Sequence, residues 1–201
     1  MNRAIAFFCL WSVLVLWAGP AHAQDAGQLA GRWRSVETSK GGIGAMYDFQ
    51  ANGAVSFSPG AIVPSPYRIE GDRLTIGVQD PAQYTVAFNG ESHLRLTIAG
   101  QSEEYTRLGN PVSHENLLLG EWTGNRDMDG QKVLVHWIFG ADSSALLMIR
   151  FTTVSGNFTL QNGRLVATFG GRGGLDGSIT LSGDVLSITR SPTRVTKLVR
   201  Y

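Results

Sequence analysis

Apolar and polar residues alternate along most of the chain, in short stretches separated by turn-forming dipeptides. In one stretch Val55 and Phe57 share a side, with small or polar residues between them. Such alternation is typical of β-strands with one buried face, and helical spacing is nearly absent. The pattern therefore predicts an all-β protein. Its first half is predicted to hold eight strands, over residues 31–38, 45–50, 53–58, 66–70, 72–78, 83–88, 92–99 and 103–108.

The second half of the chain repeats the first. The segments 29–33 and 118–122 read L-A-G-R-W and L-L-G-E-W, with Trp33 and Trp122 89 residues apart. The turns Gly71-Asp72 and Asn162-Gly163 follow similar strands and suit tight hairpins. A repeat of this length indicates one structural unit used twice. Consecutive hairpins predict an antiparallel meander, and eight strands are enough to close a small barrel and remove its exposed edges.

The first 23 residues have the features of a cleaved signal peptide. Asn2 and Arg3 precede an apolar stretch over 4–17, and a small-x-small site ends at Ala23. Export to the periplasm or beyond the cell follows from this prediction. Cleavage would also remove Cys9, so the exported protein would have no disulfide. The predicted organisation is a signal peptide (1–23), a first barrel (24–109), a linker with a short helical turn (110–117) and a second barrel (118–201).

A family resemblance rests on the G-x-W opening at Gly31–Trp33, the eight-stranded meander and a basic residue in the last strand. Together these resemble the lipocalin/calycin superfamily, and most closely the short lipocalin-like domains of exported bacterial proteins. In that superfamily the tryptophan lies at the closed end of the barrel, beneath a basic side chain. The resemblance therefore implies two structural locks, Trp33 with Arg107 and Trp122 with Lys197.

Turn lengths predict where a ligand would bind. In a meander, connections alternate between the two ends, so the longer segments 39–44, 59–65 and 79–82 fall together, as do 124–130, 152–156 and 169–177. Loops on a rigid scaffold often carry binding residues. Candidates in or beside these loops are Ile43, Met46, Ile62, Val63 and Arg172. The alternative is that the apolar ones fold inward and close a small barrel.

A second candidate surface lies on the outside of the second barrel. There Leu134 and Ile138 are predicted to face outward, and residues 145–149 are apolar on both faces. Such a strand is normally covered on both sides. The first barrel is the simplest cover, and a homodimer or a protein partner is the alternative.

Charge and motifs exclude several other functions. The 17 Lys and Arg residues form no runs and face 16 Asp and Glu residues, which argues against nucleic-acid binding. His93, His114 and His136 lack metal-ligand spacing, and no G-x-S-x-G motif is present. The predicted strands are too short for an outer-membrane barrel. We therefore expect no catalytic residues, no metal, no cofactor and no membrane span.

The sequence favours a non-enzymatic exported binding protein that engages a small apolar ligand or a macromolecule through its mouth loops. The alternative is an inhibitor of an exported enzyme such as a secreted protease. That alternative comes from the segment Gln28–Trp33, which resembles the opening of small bacterial barrel inhibitors of secreted metalloproteases.

Overall fold

The computed structural model describes residues 22–170 and 172–201, and this part of the chain is almost entirely β-structure. A single helix, α1 (His22–Leu29), precedes the strands. The first seven strands are β1 (Gly31–Ser35), β2 (Ile43–Phe49), β3 (Ala54–Glu70), β4 (Arg73–Ile76), β5 (Ala82–Asn89), β6 (His93–Ile98) and β7 (Gln101–Leu108). The others are β8 (Gly120–Met128), β9 (Gln131–Phe139), β10 (Ser144–Arg150), β11 (Val154–Gln161), β12 (Arg164–Phe169), β13 (Arg172–Ser182), β14 (Val185–Ser191) and β15 (Arg194–Arg200). The all-β prediction is confirmed. Within these residues no helix has the length and apolar character needed to cross a bilayer.

The antiparallel ladders close twice, into two rings that share β3. Ring one contains β1, β2, the first part of β3 and β11 to β15, and the β1–β15 pairing closes it. Ring two contains the rest of β3 and β4 to β10, and the β3–β10 pairing closes it. Counting β3 in both, each ring has eight strands. Ring closure pairs the strand edges that an open sheet would expose.

The rings do not follow the two halves of the sequence. β7 ends the first repeat but pairs with β8 of the second, and β15 ends the second repeat but pairs with β1 of the first. The prediction that each repeat closes on itself is therefore wrong. Ring one takes three strands from the first repeat and five from the second, and ring two has the reverse composition.

β3 makes this exchange possible because it runs through both rings. The sequence predicts two strands, over 53–58 and 66–70, joined by a mouth loop over 59–65. In the structure β3 is continuous and changes partners: Ile43 to Phe49 of β2 pair with its first part, and β10 pairs with Gly60–Pro66. The backbones of β3 and β10 lie very close together at Gly60. A Cβ on Gly60 would lie 1.9 Å from the carbonyl oxygen of Ile149, so only glycine fits there.

The closed end of each ring is held by a tryptophan beneath an arginine. The Trp33 indole N–H donates to the carbonyl oxygen of Leu29 at 2.8 Å, and the Arg200 guanidinium lies 4.3 Å from the ring centroid. Arg107 lies in the same way over Trp122, at 4.0 Å. A cation over an indole is favourable by about 0.5–2 kcal/mol.

Both predicted lock pairs are therefore corrected. Arg107 lies over Trp122 rather than Trp33, because the exchange brings each closing strand to the other repeat's tryptophan. Lys197 is exposed and contacts neither indole, and Arg200 takes the role assigned to it. Arg200 lies two positions after buried Leu198, as Arg107 lies two after buried Tyr105.

Each ring has its own apolar core. The core of ring one includes Ala26 and Leu29 of α1, which packs over the Trp33 end. The core of ring two includes Leu118, from the segment before β8. There the predicted helical turn over 114–118 is instead irregular, although Ser113 Oγ accepts the N–H groups of Glu115 and Asn116 at 3.2 Å.

The predicted signal peptide falls almost wholly outside the described residues. Residues 1–21 are not described, and the last two predicted leader residues, His22 and Ala23, belong to α1.

Candidate functional site

A pocket of about 590 Å³ opens into ring one at the end opposite Trp33. This is the end where β11 and β13 begin and where β12 and β14 end. The pocket is lined mainly by apolar side chains from both repeats: Tyr47, Phe57, Val154, Phe169, Gly170, Gly174, Leu175 and Arg190. Pockets of 300–1,000 Å³ with apolar walls are typical of small-molecule sites.

Strand register places the wall of the pocket. Tyr47 of β2 is the cross-strand partner of Phe57 of β3, and Phe57 is in turn the partner of Val154 of β11. Side chains opposite one another in neighbouring strands point to the same face of the sheet. The three therefore form one row inside ring one, and the row exists only because β3 joins the two repeats.

Aromatic packing fixes the shape of the pocket. The ring centroids of Tyr47 and Phe57 are 5.3 Å apart, and that of Phe169 is 5.4 Å from Phe57 and 6.1 Å from Tyr47. The floor continues to Phe49, whose ring is stacked 6.0 Å from Tyr47. Aromatic pairs at 4.5–7 Å are mutually favourable, so the wall is rigid before any ligand arrives.

Gly174 allows Phe169 to adopt its position. A Cβ on Gly174 would lie 2.5 Å from two carbon atoms of the Phe169 ring. The register between β12 and β13 also shifts between Val166 and Thr168, as it does at a β-bulge. Bulges often re-aim side chains at the rims of barrels. Here the bulge and the glycine together leave Phe169 facing the pocket.

The pocket contains one positive charge at its rim. Arg190 is exposed, and its Nη2 donates to the carbonyl oxygen of Gly174 at 2.9 Å. No carboxylate lies within 4.0 Å of its nitrogens among the described residues. Burial raises the pKa of Tyr47 to about 12, against the opposing charge of Arg190. At neutral pH the described lining therefore has neutral aromatic walls and a single cation.

The corresponding end of ring two is filled. Tyr105 is buried and its hydroxyl donates to Glu103, whose carboxylate also accepts from Arg126 Nε at 2.6 Å and Nη2 at 2.9 Å. Trp137 holds the place in the second repeat that Tyr47 holds in the first, and it is stacked on Phe139 at 5.4 Å. Larger side chains and an ion pair thus occupy the space that is open in ring one.

The residues predicted from the mouth loops lie elsewhere. Ile43, Met46, Ile62 and Val63 all belong to β2 or β3 rather than to loops, and none of them lines the pocket. Ile43 and Val63 are each 40% exposed. Arg172 begins β13 near the pocket mouth, and its side chain is outside the described part of the structure.

Met46 and Ile62 form a cluster between the two rings. They pack with Met148 of β10, and all three are buried. Ile138 packs against the same cluster, whereas Leu134 is 39% exposed. The outer face of β10 is therefore covered from within the chain, as the first of the two interface predictions expected, and Leu134 is not part of that cover.

Sequence reasoning could have found half of the pocket. Period-two alternation already places Tyr47 and Phe57 inward. Phe169, Leu175 and Arg190 belong to the other repeat, and only the pairing of β3 with β11 brings them to the same ring. Among the described residues no group of three or more His, Cys, Asp or Glu side chains could hold a metal ion.

Comparison of the chain with protein-family models, curated proteins and solved structures finds no match. The resemblance to the lipocalin superfamily therefore stays a prediction.

Proposed function

We propose that this protein is an exported, non-enzymatic binding protein that holds a small, largely apolar molecule in the pocket of ring one. In this proposal the rings are small lipocalin-like barrels, and the protein acts in the periplasm or outside the cell. One observation carries the proposal: the aromatic pocket of about 590 Å³ formed by residues of both repeats.

The residues that line the pocket indicate the chemistry of the ligand. Tyr47, Phe57 and Phe169 offer aromatic faces, which favour a molecule with a flat or branched apolar body. Arg190 at the rim can receive one acidic or hydrogen-bond-accepting group. No pair of side chains around the pocket has the nucleophile-and-base arrangement that covalent catalysis needs, because the described lining holds one arginine, one neutral phenol and apolar groups. The proposal is therefore for binding rather than catalysis.

A matched pair of valine variants tests the proposal. Val154→Trp places an indole in the pocket, and Val166→Trp adds the same side chain on the outside of ring one, where Val166 is 38% exposed. We expect an environment-sensitive apolar dye to bind the natural protein and Val166→Trp equally, with a blue-shifted emission. Val154→Trp should lose at least about tenfold in affinity, because the indole occupies part of the pocket beside Phe57 and covers the aromatic surface that the dye would contact.

The natural ligand can be sought in the same proteins. Native mass spectrometry of protein purified under non-denaturing conditions should show a bound mass of a small molecule that Val154→Trp lacks. Equal dye binding by both variants, with no bound small molecule in any of the three proteins, would show that the pocket is not the binding site.

A further inference from the structure

The two rings meet at a cluster of charged side chains that the pocket does not use. Ring one contributes residues from β1 and the residue after β15, and ring two contributes residues from β8, β9 and β10. We call this group the junction cluster; its members are Arg32, Arg34, Tyr201, Glu121, His136 and Arg150.

One carboxylate in this cluster lies close to two basic side chains. Glu121 Oε2 lies 2.6 Å from Arg32 Nη2 and 3.2 Å from His136 Nε2. Arg32 and Glu121 immediately precede Trp33 and Trp122, so the repeats place opposite charges at equivalent positions and those charges pair between the rings. His136 is 3% exposed, and burial together with the charge of Arg32 lowers its pKa to about 4. It is therefore neutral at pH 7.

Two arginines remain without a carboxylate. Arg150 Nη2 donates to the Tyr201 hydroxyl at 3.1 Å. Arg34 lies opposite Val199, two residues before Tyr201, and opposite Met46, which packs with Met148 of β10. The nearest further acid along β2 is Asp48, which lies opposite Arg32. Among the described residues Asp48 has no basic nitrogen within 4.0 Å, and the same is true of Arg34 and Arg150 for carboxylates.

The same two arginines carry unsatisfied donors. Nε of Arg34 and Nε of Arg150 are both buried, and neither has a hydrogen-bond acceptor among the described residues. A buried charged donor without an acceptor is costly, and native structures rarely leave one alone. Both arginines border the contact between the rings, so one acceptor placed there could serve both donors.

We infer that the junction cluster binds a small oxyanion of the phosphate or sulfate class between Arg34, Arg150 and Tyr201. The Nε–Nη edge of a guanidinium presents two parallel N–H donors, which match two oxygens of an oxyanion. The Tyr201 hydroxyl accepts a hydrogen bond from Arg150 and keeps its own hydrogen to donate. The anion would supply the acceptors that Arg34 and Arg150 lack. This site shares no residue with the pocket.

Thermal unfolding in matched salts tests the inference. At pH 7.5, inorganic phosphate or sulfate should raise Tm saturably, beyond the effect of sodium chloride at the same ionic strength, because a ligand of the folded state stabilises it. Arg34→Gln and Arg150→Gln should each weaken the apparent affinity by about tenfold or more, since each removes charge-assisted hydrogen bonds.

Two controls separate this site from other effects. Arg164→Gln removes an arginine from an exposed pair with Asp176 and should leave the phosphate response unchanged. Val154→Trp places an indole in the pocket and should also leave it unchanged, so failure here and failure of the proposed function are distinguishable.

A direct measurement does not depend on the stability of the glutamine variants. In ¹H–¹⁵N spectra, the Nε–Hε signals of Arg34 and Arg150, assigned with Arg34→Lys and Arg150→Lys, should move downfield as phosphate is added. If those signals do not move, or if chloride raises Tm as much as phosphate at equal ionic strength, the junction cluster is not an oxyanion site.

Discussion

Ring one and ring two have the same strand plan and the same tryptophan–arginine lock, yet they differ at the opposite end. Ring two ends in Tyr105 and the Glu103–Arg126 ion pair. Ring one ends in an open pocket between Tyr47 and Phe169. The strand scaffold is thus constant, and the side chains at one end decide whether a ring is filled or open. This difference is why the proposed binding site lies in ring one.

Loss of either lock tryptophan should cause the largest change. Trp33→Ala and Trp122→Ala should each lower the free energy of unfolding by about 3–5 kcal/mol, because both side chains are fully buried. Hydrogen–deuterium exchange then tests the exchanged topology. Trp33→Ala should reduce protection in β1, β2 and β13–β15 while β5–β7 stay protected. Loss of protection confined to residues 31–108 would contradict the ring assignment.

The lock arginines should have the next largest effect. Arg200→Met and Arg107→Met should each cost about 1–3 kcal/mol, because each removes a cation from an indole face and leaves backbone carbonyls without their donor. Lys197→Met is the matched control and should change stability by less than about 0.5 kcal/mol, since Lys197 is exposed. Chemical denaturation measures all three. If Lys197→Met lowered stability more than Arg200→Met, the result would favour the pair predicted from sequence, Lys197 with Trp122, over the observed pair.

The ion pair of ring two predicts a smaller effect that depends on pH. Burial acts to raise the pKa of Glu103, but the hydrogen bonds from Arg126 and Tyr105 and the charge of Arg126 outweigh it, so the pKa lies below its usual value of 4.5. The unfolded chain therefore takes up this proton at a higher pH than the folded protein does. The stabilisation is complete above about pH 4.5 and is lost as the pH falls through the folded pKa.

Glu103→Gln should lower stability by about 1–2 kcal/mol at pH 7 and remove this part of the acid dependence. Equilibrium unfolding between pH 7 and pH 3 measures both. Asp176→Asn changes an exposed pair with Arg164 and serves as the control with little effect. Parallel pH profiles for the natural protein and Glu103→Gln would show that the ion pair does not stabilise ring two.

The smallest change in stability is expected for a larger side chain in the pocket of ring one, where space is available. Val154→Trp places an indole in the pocket and should change the free energy of unfolding by less than about 1 kcal/mol. Val86→Trp places the same side chain in the filled core of ring two, where Val86 is 6% exposed, and should cost about 1–3 kcal/mol or more through overpacking. Equal costs for the two variants would mean that ring one is as full as ring two.

Local pattern predicted much of this structure. Period-two alternation identified nearly every strand and the inward positions of Tyr47 and Phe57, and the spacing of Trp33 and Trp122 revealed the repeat. One pairing was missed: the first part of β3 pairs with β11 of the other repeat, and local alternation is the same whichever strand lies beside it. Turn spacing predicts a mouth loop over 59–65, but β3 runs through this segment without a break while it changes partners.

The predicted loop over 59–65 also explains why the candidate binding residues differ from those that line the pocket. Once 59–65 was treated as a mouth loop, Ile62 and Val63 became ligand candidates, although one lies between the rings and the other on the surface. Phe169 and Arg190 lie far from Tyr47 in sequence, and no spacing rule connects them. Ring closure alone brings them together.

The shared strand also sets the order in which the molecule can fold during synthesis. Ring two is built from one continuous stretch, from the middle of β3 to Arg150, so it can close while the rest of the chain is still being made. Ring one joins Trp33 to Arg200, almost the full length of the chain apart, and its first strands must wait for the last one. Pairings between such distant residues form slowly, because a long loop must be closed first. Ring two can therefore serve as a template on which ring one is completed.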